Sequence, residues 1–157
     1  MTGCCKRLRG AYVLAVLIIW VVTAGCASTP QASRERDIQA KTFATHPGNA
    51  TLYVYRTDTH IDDSVLWIDD RLIGATLPLT YFRVYLDPGK HVLTGMGYDN
   101  GRLTVEVRPD AVYFVWLKVS AGQSWFQQVP EAVGRQVLAK CCSLLENWGP
   151  GQRPLLR

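Results

Sequence analysis

Short stretches of alternating apolar residues, separated by tight-turn residues, constrain the fold of this chain more than any other feature. Residues 51–57 (TLYVYRT) and 80–86 (TYFRVYL) alternate with a period of two, which is typical of β-strands. Turn residues stand at Asp69-Asp70, at Asp87-Pro88-Gly89-Lys90 and at Asn100-Gly101. Asp, Asn, Pro and Gly supply the backbone angles that tight turns require, so the chain is expected to fold back on itself repeatedly.

Joining these stretches across the turns gives seven or eight short strands, which predict a mainly β fold. The predicted strands are residues 51–57, 64–68, 71–75, 80–86, 91–96, 102–108, 111–119 and 125–129. We expect 71–75 to pair with 64–68, and 91–96 to pair with 80–86, as hairpins. Strands of this length and spacing indicate an antiparallel β-sandwich, of PEGA/transthyretin-like or immunoglobulin-like type.

One C-terminal α-helix is expected to cover part of this sandwich. Pro130 suits the first turn of a helix. Apolar residues then recur at helical spacing at Val133, Val137, Cys141 and Leu144. The adjacent Cys141 and Cys142 are interpreted as two small apolar residues of this helix, because neighbouring cysteines rarely form a bond with each other. An intermolecular disulfide is the alternative.

The N-terminal residues have the pattern of a secretory leader. Lys6, Arg7 and Arg9 precede an apolar run at residues 11–24. This run is shorter than the roughly 20 residues of a spanning helix and suits a signal peptide. The leader holds three of the 17 basic residues and none of the 13 acidic ones. The basic character of the whole chain is therefore no argument for nucleic-acid binding.

The run ends in Thr23-Ala24-Gly25-Cys26, which resembles the lipobox of bacterial lipoproteins, although an aliphatic residue is usual in place of Thr23. In that family the cysteine receives a diacylglyceryl group, the leader is cleaved before it, and the new amine is acylated, commonly with palmitate. The resemblance implies lipidation of Cys26 and a partner in the lipid bilayer. Ala27 follows in place of the Asp that retains such proteins in the inner membrane, so we expect the outer membrane, facing the periplasm.

These features divide the chain into four parts. Residues 1–25 are the predicted lipoprotein signal peptide. Residues 26–48 are the predicted lipidated cysteine and flexible tether, because they are polar and without a periodic apolar pattern. Residues 49–146 are the predicted sandwich with its helix, and residues 147–157, rich in Gly and Pro, are a predicted disordered tail.

Residues 50–119 are similar to a family of uncharacterised bacterial lipoproteins built on a domain of unknown function. The similar stretches are 52–56, 65–74, 86–93 and 113–115. Residues 67–74 and 87–91 also resemble PEGA-type surface repeats, although both groups usually have Asp-Gly where this chain has Asp69-Asp70. The resemblance implies strands and turns, and it brings no catalytic residue.

No nucleophile elbow, phosphate loop, dinucleotide fingerprint or His-Glu-x-x-His motif occurs in the sequence. Asp58, His60, Asp62 and Asp63 crowd one loop and could hold a hard cation, but the glycine and the distal Glu of a calcium loop are missing. A solvated acidic loop is favoured over a metal site. We expect no enzyme activity, no cofactor and no metal.

Aromatic residues on the strands are the remaining candidate site. The candidates are Tyr53, Tyr55, Tyr81, Tyr85 and Trp116. Exposed on one sheet face they would form a platform for a glycan or small ligand, whereas a packed layer beneath the helix is the favoured alternative. The sequence as a whole predicts a non-catalytic envelope lipoprotein that binds an envelope protein or acts as a scaffold. A glycan or ligand binder is the second hypothesis, and a metal-dependent enzyme is the third.

Overall fold

The computed structural model describes residues 29–60, 62, 64–95 and 101–147. The predicted signal peptide, Cys26, and the tail from residue 148 onward lie outside these residues. The described elements, in chain order, are α1 (Arg34–Ala40), β1 (Ala50–Arg56), β2 (Ser64–Ile68), β3 (Arg71–Thr76), β4 (Thr80–Leu86), β5 (Gly89–Thr94), β6 (Arg102–Val107), β7 (Val112–Ser120), β8 (Gln123–Val129), α2 (Glu131–Lys140) and β9 (Ser143–Leu144). None of the described helices has the length and apolar character that crossing a bilayer requires.

Two sheets form the fold, which confirms the predicted mainly β sandwich with a C-terminal helix. The first sheet has the order β8-β7-β1-β4-β9, and the second has the order β3-β2-β5-β6. Within the first sheet β1 runs antiparallel to β4 but parallel to β7, and β4 runs parallel to β9. This sheet is therefore mixed rather than wholly antiparallel. The strands of the second sheet supply the crossover that parallel pairing of β1 and β7 requires.

The main core lies between the sheets and is built from the inward residues of both. It includes Leu52, Val54, Phe82, Val84 and Val115 of the first sheet and Leu66, Ile73, Leu93 and Val105 of the second. A second apolar layer covers the outward face of the first sheet. It includes Phe43, Tyr53, Tyr55, Tyr81, Phe114 and Leu138 of α2. Because both layers press on β1, every residue of that central strand is buried.

The predicted hairpin of β2 and β3 is confirmed. Asp69 and Asp70 have φ angles of 50° and 60°, and positive φ at both central residues is the mark of a type I′ turn, whose twist suits a hairpin. The predicted pairing of residues 91–96 with 80–86 is wrong. β4 belongs to the first sheet and β5 pairs with β2 and β6 in the second, so Asp87 and Pro88 carry the chain from one sheet to the other.

α2 begins as predicted but ends before the last two residues of the predicted stripe. Cys141 is extended and Leu144 belongs to β9. Val133 is 44% exposed, so it does not face the core as we expected. Gly134 does face it, and a Cβ built there would lie only 2.2 Å from Cγ of Phe114. The missing side chain lets the helix approach the sheet closely, which is why a helix-weakening residue stands at this position.

The predicted flexible tether is wrong for residues 29–48, which are folded onto the sandwich. α1 is docked there, with Phe43 buried behind it, whereas Ile38 is 59% exposed. Before α1, residues 29–32 form what we call the entry segment. Its Ala32 amide donates to the carbonyl of Leu144 (2.8 Å), and the Glu146 amide donates to the carbonyl of Pro30 (2.9 Å). Backbone pairing of this kind leaves no periodic pattern, so polar composition alone suggested a linker.

Candidate functional site

Three of the five candidate aromatics are buried beneath the helices. Tyr53, Tyr55 and Tyr81 are 0%, 3% and 1% exposed. The hydroxyl of Tyr53 donates to the carbonyl of Ala40 (2.7 Å), and that of Tyr81 donates to Oδ1 of Asp37 (2.8 Å). Burial raises the pKa of all three phenols above the ordinary value. These side chains form the packed layer, so a ligand cannot reach them.

The other two candidates differ from each other. Trp116 is half-buried and donates its indole N–H to Oγ1 of Thr57 (3.1 Å). Tyr85 is 45% exposed. Its ring lies 4.5 Å from the ring of His46, centroid to centroid, and 5.5 Å from Cζ of Arg83. Of the five candidates, Tyr85 alone presents an open ring together with a cation.

Tyr85 also borders a cleft of about 310 Å³ where β3 of one sheet and β4 of the other lie apart. Apolar side chains of both sheets line it: Ile68, Ile73, Val84 and Leu86. The polar residues around it are Asp69, Arg71, Tyr85, Asp87 and His91. Its volume is at the lower limit of what small-ligand pockets have. We call it the inter-sheet cleft. Tyr85 also borders a second, smaller pocket of about 150 Å³, whose polar lining includes Arg36, Arg83 and Glu146.

An ion pair between Asp69 and His91 borders the cleft. Nδ1 of His91 lies 2.5 Å from Oδ2 of Asp69, and its Nε2 lies 2.7 Å from the carbonyl oxygen of Asp87. With Asp69 ionised both partners are acceptors, so the arrangement suits a ring that carries a proton on each nitrogen, which is the imidazolium form. Partial burial lowers the pKa of His91, but the hydrogen bonds and charges of Asp69 and Asp87 outweigh it and raise that pKa above its ordinary value. In that form the ring joins the turn at Asp69 to the connection at Asp87 and has no free lone pair.

Asp69 is held from a second side. Its Oδ1 accepts the backbone N–H of Val92 (2.8 Å). Partial burial raises the pKa of Asp69, but the hydrogen bonds from His91 and Val92 outweigh this and lower it. Asp69 lies in the β2–β3 turn and His91 lies in β5. They are 22 residues apart, on elements that only the sheet topology brings together, so no local pattern could have joined them.

A buried arginine organises the acidic loop. Arg56 is 1% exposed, and its Nε and Nη2 donate to the carboxylate of Asp58 at 2.7–3.0 Å. Nη1 donates to the carbonyl of Asp62 and to Oγ1 of Thr76, and Nη2 donates to the carbonyl of His60. All five N–H groups are thus used. Asp63 lies outside the described residues, and among those described no three potential metal ligands cluster.

Cys141 and Cys142 form a disulfide with each other, which corrects our interpretation of them as helical residues. α2 ends at Lys140, so the two cysteines lie in the connection to β9 rather than on a helix. Nζ of Lys41 donates to the carbonyl of Cys142 (2.7 Å) and forms an ion pair with Oδ2 of Asp37 (2.9 Å). The bonded cysteines therefore belong to the corner where α1 docks.

An uncharacterized protein of Haemophilus influenzae is 30% identical to this chain over 134 residues, a region that makes up 80% of this chain and 79% of the relative. No protein-family profile matches the chain. No solved structure matches it either.

Replacing Asp58 with Ala is expected to lower the free energy of unfolding by about 3 kcal/mol, because it leaves the buried charge of Arg56 without its carboxylate. The matched control is Asp62→Ala, whose backbone carbonyl still serves Arg56, and we expect a change within about 0.5 kcal/mol. Urea unfolding of both variants measures the difference. Equal losses in the two variants, or a gain in stability on adding calcium, would instead support a cation in this loop.

Replacing His91 with Gln is expected to destabilise the protein more in mild acid than in alkali. The raised pKa of His91 means that its contribution is complete below the unfolded value of about 6.5 and is lost as pH rises through the folded value. Protonation of Asp69 would also remove this contribution, but because the pKa of Asp69 is lowered this happens only in stronger acid. Since the Asp69 side chain is 46% exposed, screening limits the effect, and we expect the loss to be about 1 kcal/mol larger near pH 5.5 than near pH 9.

Thermal unfolding of the wild type, H91Q and the control H60Q across this pH range measures the effect. Arg56 binds the backbone carbonyl of His60 and not its side chain. H60Q therefore measures the effect of replacing a histidine side chain that makes no such ion pair. A loss in H91Q that stays constant from mild acid to alkali would show that the pair with Asp69 is not ionic.

Proposed function

The chain belongs to one family with this Haemophilus influenzae protein, and we propose that it is a lipid-anchored lipoprotein of the bacterial envelope with a non-catalytic binding domain. The observation that carries the proposal is the sequence Thr23-Ala24-Gly25-Cys26 at the end of a basic and then apolar leader. The similarity of residues 50–119 to uncharacterised lipoproteins with a PEGA-like hairpin pattern points the same way.

Lipidation of Cys26 would hold the domain at the bilayer, since each buried methylene contributes about 0.8 kcal/mol and several acyl chains make anchoring stable. The outer membrane, facing the periplasm, is the proposed location because Ala27 follows the cysteine. The disulfide between Cys141 and Cys142 fits this compartment, because disulfides persist where the surroundings are oxidising.

A binding or scaffold role for an envelope protein partner, rather than catalysis, is supported by the chemistry of the polar groups. His91 uses both ring nitrogens on Asp69 and Asp87. Arg56 uses its N–H groups on the loop that follows it. The N–H groups of both side chains are thus bound within the chain, whereas a catalytic side chain needs an atom that is free to contact the substrate. We therefore propose no cofactor and no metal for this domain.

Replacing Cys26 with Ser is expected to abolish lipidation, because the thiol sulfur is the atom that receives the diacylglyceryl group. The full chain is produced in a Gram-negative bacterium fed with labelled palmitate, and the label and the mass of the processed protein are measured. The matched control is the double variant C4S/C5S, whose cysteines leave with the leader, and it is expected to incorporate label fully. Label retained in C26S, or an unmodified terminus in the wild type, would contradict the proposal.

A glycan or small-ligand binder is the second candidate, favoured by the open ring of Tyr85 beside the inter-sheet cleft. Titration with muropeptides and oligosaccharides, followed by intrinsic fluorescence, is expected to show saturable binding that Tyr85→Ala weakens at least about tenfold, since stacking and cation contacts would be lost together. Trp125→Ala is the control, because this exposed aromatic lies on β8 at the far edge of the same sheet. A flat response from the whole panel would eliminate this candidate.

A further inference from the structure

We propose that the outward face of the second sheet, around Trp67 and Leu72, rests on the bilayer to which the protein is anchored. This inference rests on the proposed lipidation of Cys26 and adds the surface by which the domain meets the lipid. The occupant to which the face is assigned is the membrane surface itself. We call this surface the lipid face; it consists of Val65, Trp67, Leu72, Ala75 and Val92.

The first step is the length of chain between the anchor and the fold. Thr29 is 2% exposed, and its Oγ1 accepts the backbone N–H of Ala75 on β3 (2.9 Å). Only Ala27 and Ser28 separate Thr29 from Cys26. Three residue steps of fully extended chain span at most about 11 Å. A flexible tether over residues 26–48 would have given a reach of about 25 Å, so the folded entry segment removes most of the predicted clearance.

The second step is which surface lies beside this point. β3 is the outermost strand of the second sheet, and β2 is its neighbour. Trp67 on β2 is directly opposite Leu72 on β3, and Val65 is opposite Ala75, the residue that binds Thr29. These side chains alternate with the buried Leu66 and Ile68, so they point away from the core. The lipid face therefore begins at the strand on which the entry segment is fixed.

The third step is that this face has no cover in the described part of the chain. Both described helices pack against the first sheet, α1 beside β9 and α2 on β7. Trp67 is 37% exposed, and Val65, Leu72 and Val92 are partly exposed. Large apolar side chains left uncovered beside one another mark an interaction surface.

The chemistry of the face fits a lipid headgroup region. An indole ring prefers the boundary between hydrocarbon and water, because it is apolar with one polar N–H. Next to Trp67 across the sheet stands Thr94, and Arg102 is opposite Thr94 on β6. The same register places Lys90 opposite Glu106 farther along this face, so its border carries two basic groups and one acidic group. An apolar centre with a net basic border suits the phosphates of an anionic leaflet. The covalent anchor would keep this face at a high effective concentration of lipid, so even weak contacts would be occupied.

Quenching of tryptophan fluorescence by brominated lipid tests the assignment. The full chain is expressed, purified as the processed lipoprotein, and reconstituted into vesicles of phosphatidylethanolamine and phosphatidylglycerol, with or without brominated phosphatidylcholine. All variants carry Trp148→Phe, because that residue lies outside the described structure. Within this background Trp67→Phe is expected to lose most of the quenching by brominated lipid.

Trp125→Phe is the matched control and is expected to keep the quenching. Trp125 is 39% exposed, almost as much as Trp67, but it lies on β8, at the opposite edge of the other sheet. The variant W67F/L72W moves the indole to the directly opposite position of the lipid face and is expected to restore the quenching. This restoration also shows that any loss in W67F is not caused by misfolding.

Two failures of this experiment are distinguishable. In the first, the protein floats with the vesicles, but brominated lipid quenches the Trp67→Phe variant as strongly as the protein that keeps Trp67. The assignment of the lipid face is then wrong while the anchoring stands, and a face that binds a protein partner would give this result. If the protein does not float and Cys26 is unmodified by mass spectrometry, the proposed function fails and this inference fails with it.

Discussion

The hydrogen bonds between residues 30–32 and 144–146 are the constraint on which the rest of this structure depends. A sandwich of two open sheets leaves edge strands whose backbone groups invite unwanted pairing. Here two stretches far apart in the sequence pair with each other beside β3 and β4 and cover part of that opening. The inter-sheet cleft stays open beside this pairing. The same pairing makes residues 29–48 part of the fold, so few residues are left between the fold and the proposed anchor at Cys26.

Two charged groups hold the connections at the ends of the sandwich. Arg56 gathers the loop between β1 and β2 around a buried guanidinium, and His91 joins the β2–β3 turn to the connection between the sheets. The ring and guanidinium nitrogens of both side chains find their partners within the chain. Such groups are costly to bury and costly to disturb, which favours one geometry of the loops over others.

The alternation of apolar residues was enough to predict the strands, the β2–β3 hairpin and the start of α2, because these depend on neighbours in sequence. It could not assign strands to sheets. The Asp87-Pro88 connection has the composition of a hairpin turn, yet Val84, Leu86 and Leu93 share one core only when the chain crosses between sheets. The candidate aromatics show a related limit: Tyr53, Tyr81 and Tyr85 have the same local pattern, and the packing of the two helices buries the first two. The contacts of His91 and the disulfide likewise needed three-dimensional proximity or backbone geometry that no spacing rule carries.

The bond between Cys141 and Cys142 has an unusual thermodynamic consequence. Cross-links ordinarily stabilise a protein by shortening the loops that the denatured chain can explore, and the benefit grows with the number of residues enclosed. A link between adjacent residues encloses none, so it leaves the denatured ensemble almost as free as before. Its influence is confined to the folded state, where it stiffens the connection between α2 and β9. The carbonyl of Cys142 in this connection accepts a hydrogen bond from Nζ of Lys41. A reductant would therefore loosen the packing of α1 against this connection and leave the free energy of unfolding of the sandwich nearly unchanged.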